Sequence, residues 1–575
     1  MNAVAHVLSW LRCKWPIVAL LLISGALNFY HLDWGLPNGA VSWAHDAITP
    51  TGPLYTAYTI ANSQFWRSRY PAGHHVLLLA IDAPYIAYLH LKGAFGSFAT
   101  DYPYGFSDPE RSLTVLFLAD RAVSAIMGVG IVLLLYLIGR RRSGELAGLF
   151  SAAAIALNVI FIYHSHTTNV DIPYLFWMML ALYFFDRALE SGELRHFVLL
   201  SLFGAVSLCT KESVVGVLVG MAIPLVWVVL RERRWKGHGV VGIARVIGDK
   251  RLLTGLATFL ITFGLVGCSL TGVGYWFAKY GWAMANVEGS IAHSEQGIRD
   301  LVKLPGIAND VVRSFGLPLC LFLFIGAIWA CLKRGERATS YLVLMVSYYL
   351  VFQRNYWDAI RFSMPQMVFL ALLGAPFIAY LIQGRIPFTD ALSLRANRVL
   401  RLAPARAMVR VIVAGVLGYT VLHAATLPWL LSRDSRYAAE AWLQKNARKG
   451  QTIEFLSPFS IPIFRPPQWM TVRIVADPKD MTPEKLAASG ADLLAVDAEG
   501  FAPERCPDEF RSIVGPMAKA LESGESGYER AAVLKTRPLL DIPLSHYTIN
   551  PLIVIYRKSA SANPAAQSLH TDGGR

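Results

Sequence analysis

Charged side chains are scarce in this 575-residue sequence. Asp, Glu, Lys and Arg together make up 16% of it, against about 25% in an average soluble domain. Apolar residues take their place, at 54% of the chain with a mean hydropathy of +0.42. An ordinary soluble enzyme is excluded. Cysteine is scarce as well, 6 in all. Cys13, Cys209, Cys268, Cys320 and Cys331 lie in or beside apolar runs and Cys506 stands alone, so no disulfide framework is expected. No CxxC spacing occurs, which removes that zinc pattern. No repeat of about 20–50 residues is visible, which excludes a solenoid or propeller.

What is present is a series of apolar runs, each about 20 residues long and able to cross a hydrocarbon core of about 30 Å. The sequence therefore reads as a polytopic α-helical membrane protein. RCKWPIVALLLISGALNFY has the positive flank of a signal sequence, but its apolar run is long and no small-residue cleavage site follows. It is expected to be an uncleaved first span, Trp15 to Tyr30, entered from the cytoplasm. The piece from Arg69 to Gly93 carries His74, His75, Asp82, Pro84 and His90, which makes a poor lipid-facing helix. Counting it as a span would also put Arg140, Arg141 and Arg142 outside, against the positive-inside rule. The outer loop 32–118 is therefore expected to hold helices lying along the membrane surface. Later runs end on basic clusters in alternate loops, with about 23 Lys and Arg inside against about 12 outside. The tracing gives about eleven spans, with the N-terminus in the cytoplasm and the C-terminus outside. This asymmetry accounts for much of the formal net charge of +14, and no nucleic-acid partner is expected.

Beyond Arg433 the composition changes. RYAAEAWLQKNARKG reads as an amphipathic helix, TIEFLS and TVRIVAD as strands, and TPEKLAASGADLLAVD as helix then strand. FRSIVGPMAKALESG reads as a helix, and RAAVLK and LIVIYRK as strands. The expected organisation is a transmembrane module over 1–432, a small extracytoplasmic α/β domain over 433–557 and a disordered tail over 558–575.

Two acids stand where chemistry is plausible. Asp46, in SWAHDAITP, follows the first span, and Asp171, in HSHTTNVDIPYLFW, falls at a span end on the same expected side. A lone acid near a bilayer surface is often just a solvated loop residue, and Asp171 also suits the start of a helix with Pro173 in its first turn. Two acids facing one compartment, each flanked by His and aromatics, point instead to a site. His45, His74, His75, His164 and His166 lack a ligand spacing and read as polar lining, so no metal is expected.

These segments together resemble the GT-C glycosyltransferases that use lipid carriers, the superfamily of the protein O-mannosyltransferases and the lipid A aminoarabinose transferase. The resemblance rests on an acid after the first span (Asp46), the Tyr-Pro segment RYPAGHHVLLLA, and NVIFIYHSHTTNVDIPYLFW ending in Asp-x-Pro. CTKES (Cys209 to Ser213) and DAIRFSMP (Asp358 to Pro365) match its lysine and its Arg-aromatic-x-x-Pro elements. One departure is Ala47, where many members place Glu after the first acid.

The resemblance implies a GT-C fold of about eleven helices with a C-terminal outer domain. It also implies an inverting transfer of a sugar from a polyprenyl-phosphate carrier to an acceptor hydroxyl on lipid, glycan or protein, at the outer face of an inner membrane. Asp46 and Asp171 would be the catalytic carboxylates. Arg69, Lys211 and Arg361 would face the departing phosphate, with His45, His74 and His166 beside them. Without the family pattern, a Lys or Arg at a span end is a snorkelling anchor. No cofactor is expected. The alternative is a secondary transporter, which would place its polar site near the bilayer midplane rather than at one face.

Overall fold

A computed structural model of the chain describes residues 2–37, 42–44, 46–62, 70–232, 248–278, 303–332, 336–355, 360–384, 402–456, 464–475, 477–499, 508–544 and 548–559. His45, Arg69 and nearly all of the tail expected to be disordered lie outside them. The chain divides into two compact units. One comprises Met1–Leu32 and Ala47–Ala425; the other comprises Asp33–Asp46 and Thr426–Arg575.

The first unit is helical. Its elements are α1 (Asn2–Phe29), α2 (Thr51–Ala61), α3 (Ala72–Leu91), α4 (Pro109–Ser143), α5 (Glu145–Ala156), α6 (Val159–Ser165), α7 (Asp171–Ser191), α8 (Leu194–Thr210) and α9 (Val215–Glu232). They continue with α10 (Lys250–Thr262), α11 (Lys303–Phe315), α12 (Leu317–Leu332), α13 (Glu336–Val351) and α14 (Met364–Ile382). The helix α15 (Ala403–Ser432) begins in this unit and ends in the next. Among the described residues, 6 helices are long and apolar enough to cross a membrane, joined by the bent pair α5–α6 and by four shorter apolar helices. These fall on the stretches read as spans. The third of them is not one straight helix. It bends by 65° where Leu157 ends α5 and the Asn158 side chain accepts the Phe161 N–H at 3.0 Å, capping α6.

Burial orders the bundle. The apolar window of the segment Ile360–Ile382 is 78% buried, whereas that of Lys250–Thr271 is 11% buried, so α14 is central and α10 peripheral. Small residues bring the central helices together: a Cβ on Gly326 of α12 would lie 2.4 Å from the carbonyl oxygen of Gly374 on α14.

The second unit carries a five-stranded sheet in the order β2-β1-β3-β5-β4. Its elements are α16 (Ser435–Asn446), β1 (Thr452–Leu456), β2 (Thr471–Val475), α17 (Pro483–Ala488), β3 (Leu493–Asp497), α18 (Asp508–Ser523), β4 (Tyr528–Leu534) and β5 (Ile553–Lys558). β1 pairs parallel with β2 and β3, while β5 runs antiparallel to β3 and β4. Alternation sends Leu493, Ala495, Ile553 and Ile555 to the α16 side, and Leu494, Val496, Val554 and Tyr556 to the opposite side with Met517 and Leu521 of α18. The central strands are thus apolar on both faces, as a covered sheet requires.

One buried polar contact in the first unit is unusual. Asp82 of α3 meets Asp120 of α4, both at 1% exposure or less, and burial raises the Asp82 carboxyl to about 7, with its hydrogen bond to Asp120 offsetting part of that rise. A carboxyl whose pKa is higher folded than unfolded keeps its proton longer in the fold. Its contribution is therefore full below about pH 4 and is lost as pH rises toward 7. Detergent-solubilised protein is expected to melt at falling temperature across that window, and Asp82→Asn is expected to flatten the slope. An unchanged slope would show that the α3–α4 contact does not titrate.

Candidate active site

The hairpin of α7 and α8 builds the site. Gly192, at φ 64°, ends α7 in the left-handed conformation and lets α8 return antiparallel, so the start of α7 and the end of α8 come level. Asp171 is the first residue of α7. Lys211 leaves α8 in extended backbone (φ −154°, ψ 129°), which directs its side chain back across the hairpin. The ammonium donates to Asp171 Oδ1 at 2.6 Å, with the two side chains 5% and 0% exposed. Ser207 Oγ donates to the Tyr174 carbonyl at 2.8 Å and ties the two helices just beside the pair.

Aromatic rings wall the ammonium. Lys211 Nζ lies 5.8 Å from the Tyr70 ring centroid, 5.4 Å from Tyr174 and 5.0 Å from Phe362, each within cation–π range. Phe362 and Arg361 sit on a short 3-10 turn, Ile360–Ser363, ahead of α14. The Phe362 carbonyl accepts from Tyr348 at 3.0 Å and Ser363 Oγ accepts from Gln353 Nε2 at 3.1 Å, which holds the turn on α13 and the residues that follow it. Arg361 is 8% exposed, and Asp171 feels both its charge and that of His164.

Two buried cations, Lys211 and Arg361, thus stand by the Asp171 carboxylate, and Lys211 also feels the charge of Glu212. Asp171 Oδ2 is buried without a hydrogen-bond partner among the described residues. Buried polar atoms in that condition are the usual contacts of a ligand or ordered water. The two cations suit an anion, whereas the open Asp171 oxygen is an acceptor and suits a hydroxyl donor. Among the described residues, no group of three or more His, Cys, Asp or Glu is placed to hold a metal ion.

Around this centre α3 makes a close approach: a Cβ on Gly73 would lie 2.6 Å from the Cys209 carbonyl oxygen, two residues before Lys211. The approach buries His74 and His75. Burial, with the neighbouring His75, lowers His74 to about 3; burial likewise lowers His75 to about 4, partly offset by a hydrogen bond to the Pro71 backbone. Both rings are neutral at physiological pH. His166 serves the backbone instead, with Nδ1 on the Ile162 carbonyl and Nε2 on the Tyr30 carbonyl, each at 2.8 Å.

Asp46 belongs to the other unit. It is half-buried and sits at φ 60°, a left-handed conformation that Asp tolerates better than most residues. The strap that carries it is tied to α16. Trp34 Nε1 donates to Asp434 Oδ2 at 3.2 Å, Gly35 N donates to the Tyr437 hydroxyl at 2.9 Å, and the Arg436 guanidinium lies 4.2 Å from the Trp43 ring centroid.

Comparison with known proteins matches residues 115–247 to the family model of dolichyl-phosphate-mannose-protein mannosyltransferases. That stretch includes Asp171 and Lys211. Among solved structures, the chain is similar to the Archaeoglobus fulgidus oligosaccharyltransferase tethered with an acceptor peptide (15% identity, 95% of this chain and 76% of that one, TM-score 0.46). It is also similar to ArnT from Cupriavidus metallidurans bound to undecaprenyl phosphate (13% identity, 96% and 99%, TM-score 0.40). A third is the S. cerevisiae Pmt1–Pmt2 complex bound to the sugar donor (16% identity, 44% and 33%, TM-score 0.30). No curated protein matches.

Of the residues singled out in the sequence, the structure brings Asp171, Lys211 and Arg361 together. His164, read from the sequence as polar lining, stands with them, and the structure adds Tyr70, Tyr174 and Phe362. Tyr174 had a signal, since it stands three residues after Asp171 and shares its helix face. If the Lys211–Asp171 contact is a buried ion pair, Lys211→Met alone strands a carboxylate and is expected to cost about 3–5 kcal/mol, and the double change with Asp171→Asn is expected to recover most of it. Thermal melts in detergent measure this. Equal losses in the single and double variants would mean that the two groups do not stabilise each other.

Proposed function

We propose that the chain is an inverting glycosyltransferase that moves a sugar from a polyprenyl-phosphate carrier to an acceptor hydroxyl of a lipid, glycan or protein. The reaction takes place at the outer face of the inner membrane, with the N-terminus in the cytoplasm and the 433–557 domain in the periplasm. The observation that carries this reading is the pair of buried cations, Lys211 and Arg361, gathered at Asp171. The matching family model, named for a dolichyl-phosphate-linked mannose donor, supports a lipid phosphate as the anion.

The chemistry follows from charge. The acceptor oxygen attacks the anomeric carbon from the side opposite the phosphate, and the bond from that carbon to the phosphate oxygen breaks with its electron pair leaving on oxygen. The new negative charge develops beside fixed cations in a site walled by Tyr70, Tyr174 and Phe362, where poor hydration strengthens the attraction. Asp171 holds the Lys211 ammonium in place. The acceptor proton passes to Asp46, the carboxylate proposed as general base.

Two measurements test this. Arg361→Met, and the Asp171→Asn/Lys211→Met double variant, are expected to bind a polyprenyl phosphate about 10- to 150-fold more weakly, the usual range for losing a charge-assisted contact. Asp46→Asn is expected to bind it normally yet transfer sugar about 10²- to 10⁴-fold more slowly. Full carrier affinity in both cation variants would leave Lys211 and Arg361 as structural cations of the buried cluster.

A further inference from the structure

The second unit displays an apolar side chain where a water-facing domain has no use for one. Leu540, 71% exposed, is the most exposed large apolar residue among the described residues of that unit. It stands in a tight turn, Leu539–Asp541, that follows β4. Leu540 and Asp541 hold positive φ, 51° and 54°, which is uncommon for a bulky residue such as leucine. Leu539, Ile542 and Leu544 flank the tip, each half-buried, and Asp541 is the one charged residue from Pro538 to Leu544.

The turn is firmly held. At its base Thr536 N donates to Asn550 Oδ1 at 3.0 Å, Asn550 Nδ2 donates to the Thr536 carbonyl at 2.8 Å, and Thr536 Oγ1 donates to the Arg433 carbonyl. Within it, the Asp541 and Ile542 N–H groups donate to the Pro538 and Leu539 carbonyls at 3.2 and 3.0 Å. One further bond sets its depth. The Trp429 indole, in the last turn of α15, donates to the Arg537 carbonyl at 3.3 Å, and the Arg433 guanidinium lies 3.6 Å from the Trp429 ring centroid. α15 belongs to a segment apolar enough to cross a membrane. Its uncharged run, Val411–Leu431, rises about 30 Å as a helix, the thickness of a hydrocarbon core. Trp429 therefore falls at the boundary of that core and Arg433 just beyond it, the order in which an indole and a cation flank a bilayer.

An apolar turn bonded to the end of a span has a lipid surface within its reach. At the boundary between headgroups and acyl chains an exposed leucine gains apolar surroundings, while a carboxylate such as Asp541 can stay hydrated. We propose that the turn Leu539–Leu544 docks on the bilayer as an interfacial anchor, with Leu540 entering the acyl region beside the C-terminal end of α15. Trp429 and Arg433 then hold the turn at the depth of the lipid headgroups. The inference rests on α15 as a span and is independent of the sugar-transfer reading.

The test uses the full chain reconstituted into vesicles of equal parts phosphatidylcholine and phosphatidylglycerol. A photoreactive benzophenone amino acid replaces Leu540 in one variant and Glu525 in another. Glu525 is exposed and precedes β4, so that about 20 Å of strand separates it from the turn. On illumination the first variant is expected to form phospholipid adducts, read by mass spectrometry as the added mass of one lipid, and the second is expected to form none. Absence of adducts at position 540, or equal yields at the two positions, would overturn the proposal. So would crosslinking of position 540 to a second copy of the chain, which would make the turn a protein contact. Should the Leu540 variant fail to fold, the same group is placed at Ile542. Lipid adducts are expected there as well, and their absence would overturn the proposal equally.

Discussion

A single ammonium–carboxylate contact, Lys211 on Asp171, organises the membrane unit. Each ion taken from water costs several kcal/mol after relaxation, and the mutual attraction of one pair does not offset that cost unless the remaining valences are met. Here the α7–α8 hairpin supplies the geometry, Ser207 locks it to the Tyr174 carbonyl, and three rings surround the ammonium. Arg361 then adds a second buried cation whose charge reaches Asp171. The pair is stable enough to fold, and it leaves Asp171 Oδ2 without a hydrogen-bond partner among the described residues, an acceptor that a hydroxyl can meet.

Much of this was legible in the sequence. The apolar runs mark the helices because length and hydropathy are local properties, and the C-terminal strands and helices fall where alternation placed them. Lys211 and Asp171 were linked by the expectation that their span ends face one side, and a hairpin between consecutive helices makes that expectation geometric. Arg361 was reached through the resemblance, whose order of segments brings a distant turn to the same level.

What escaped the sequence is long-range. Nothing near His166 indicates that its ring reaches the Tyr30 carbonyl, 136 residues away in the chain. The 65° bend at Asn158 depends on one side chain turning to cap rather than to solvent. The attachment of the strap 33–46 to α16 was also invisible. Asp434 caps α16 at the Arg436 N–H, pairs with the Arg436 guanidinium at 2.7 Å, accepts the Asn550 N–H at 3.0 Å and receives the Trp34 indole. The separation between Trp34 and Asp434 is 400 residues. No periodicity reports a contact of that span.

That separation sets an order of events during synthesis. A ribosome adding about 5–20 residues per second takes about 20–80 s to travel from Trp34 to Asp434. Through that interval the strap has no Asp434, Arg436 or Tyr437 to receive Trp34, Gly35 and Trp43. It must wait, tethered to a first helix already made, while the intervening helices follow it from the ribosome. The stretch bearing Asp46 is thus translated 400 residues ahead of the Asp434 that receives Trp34, and it is late to reach its native contacts. A chain halted before α16 would carry the residues of that stretch without the partners that give it shape.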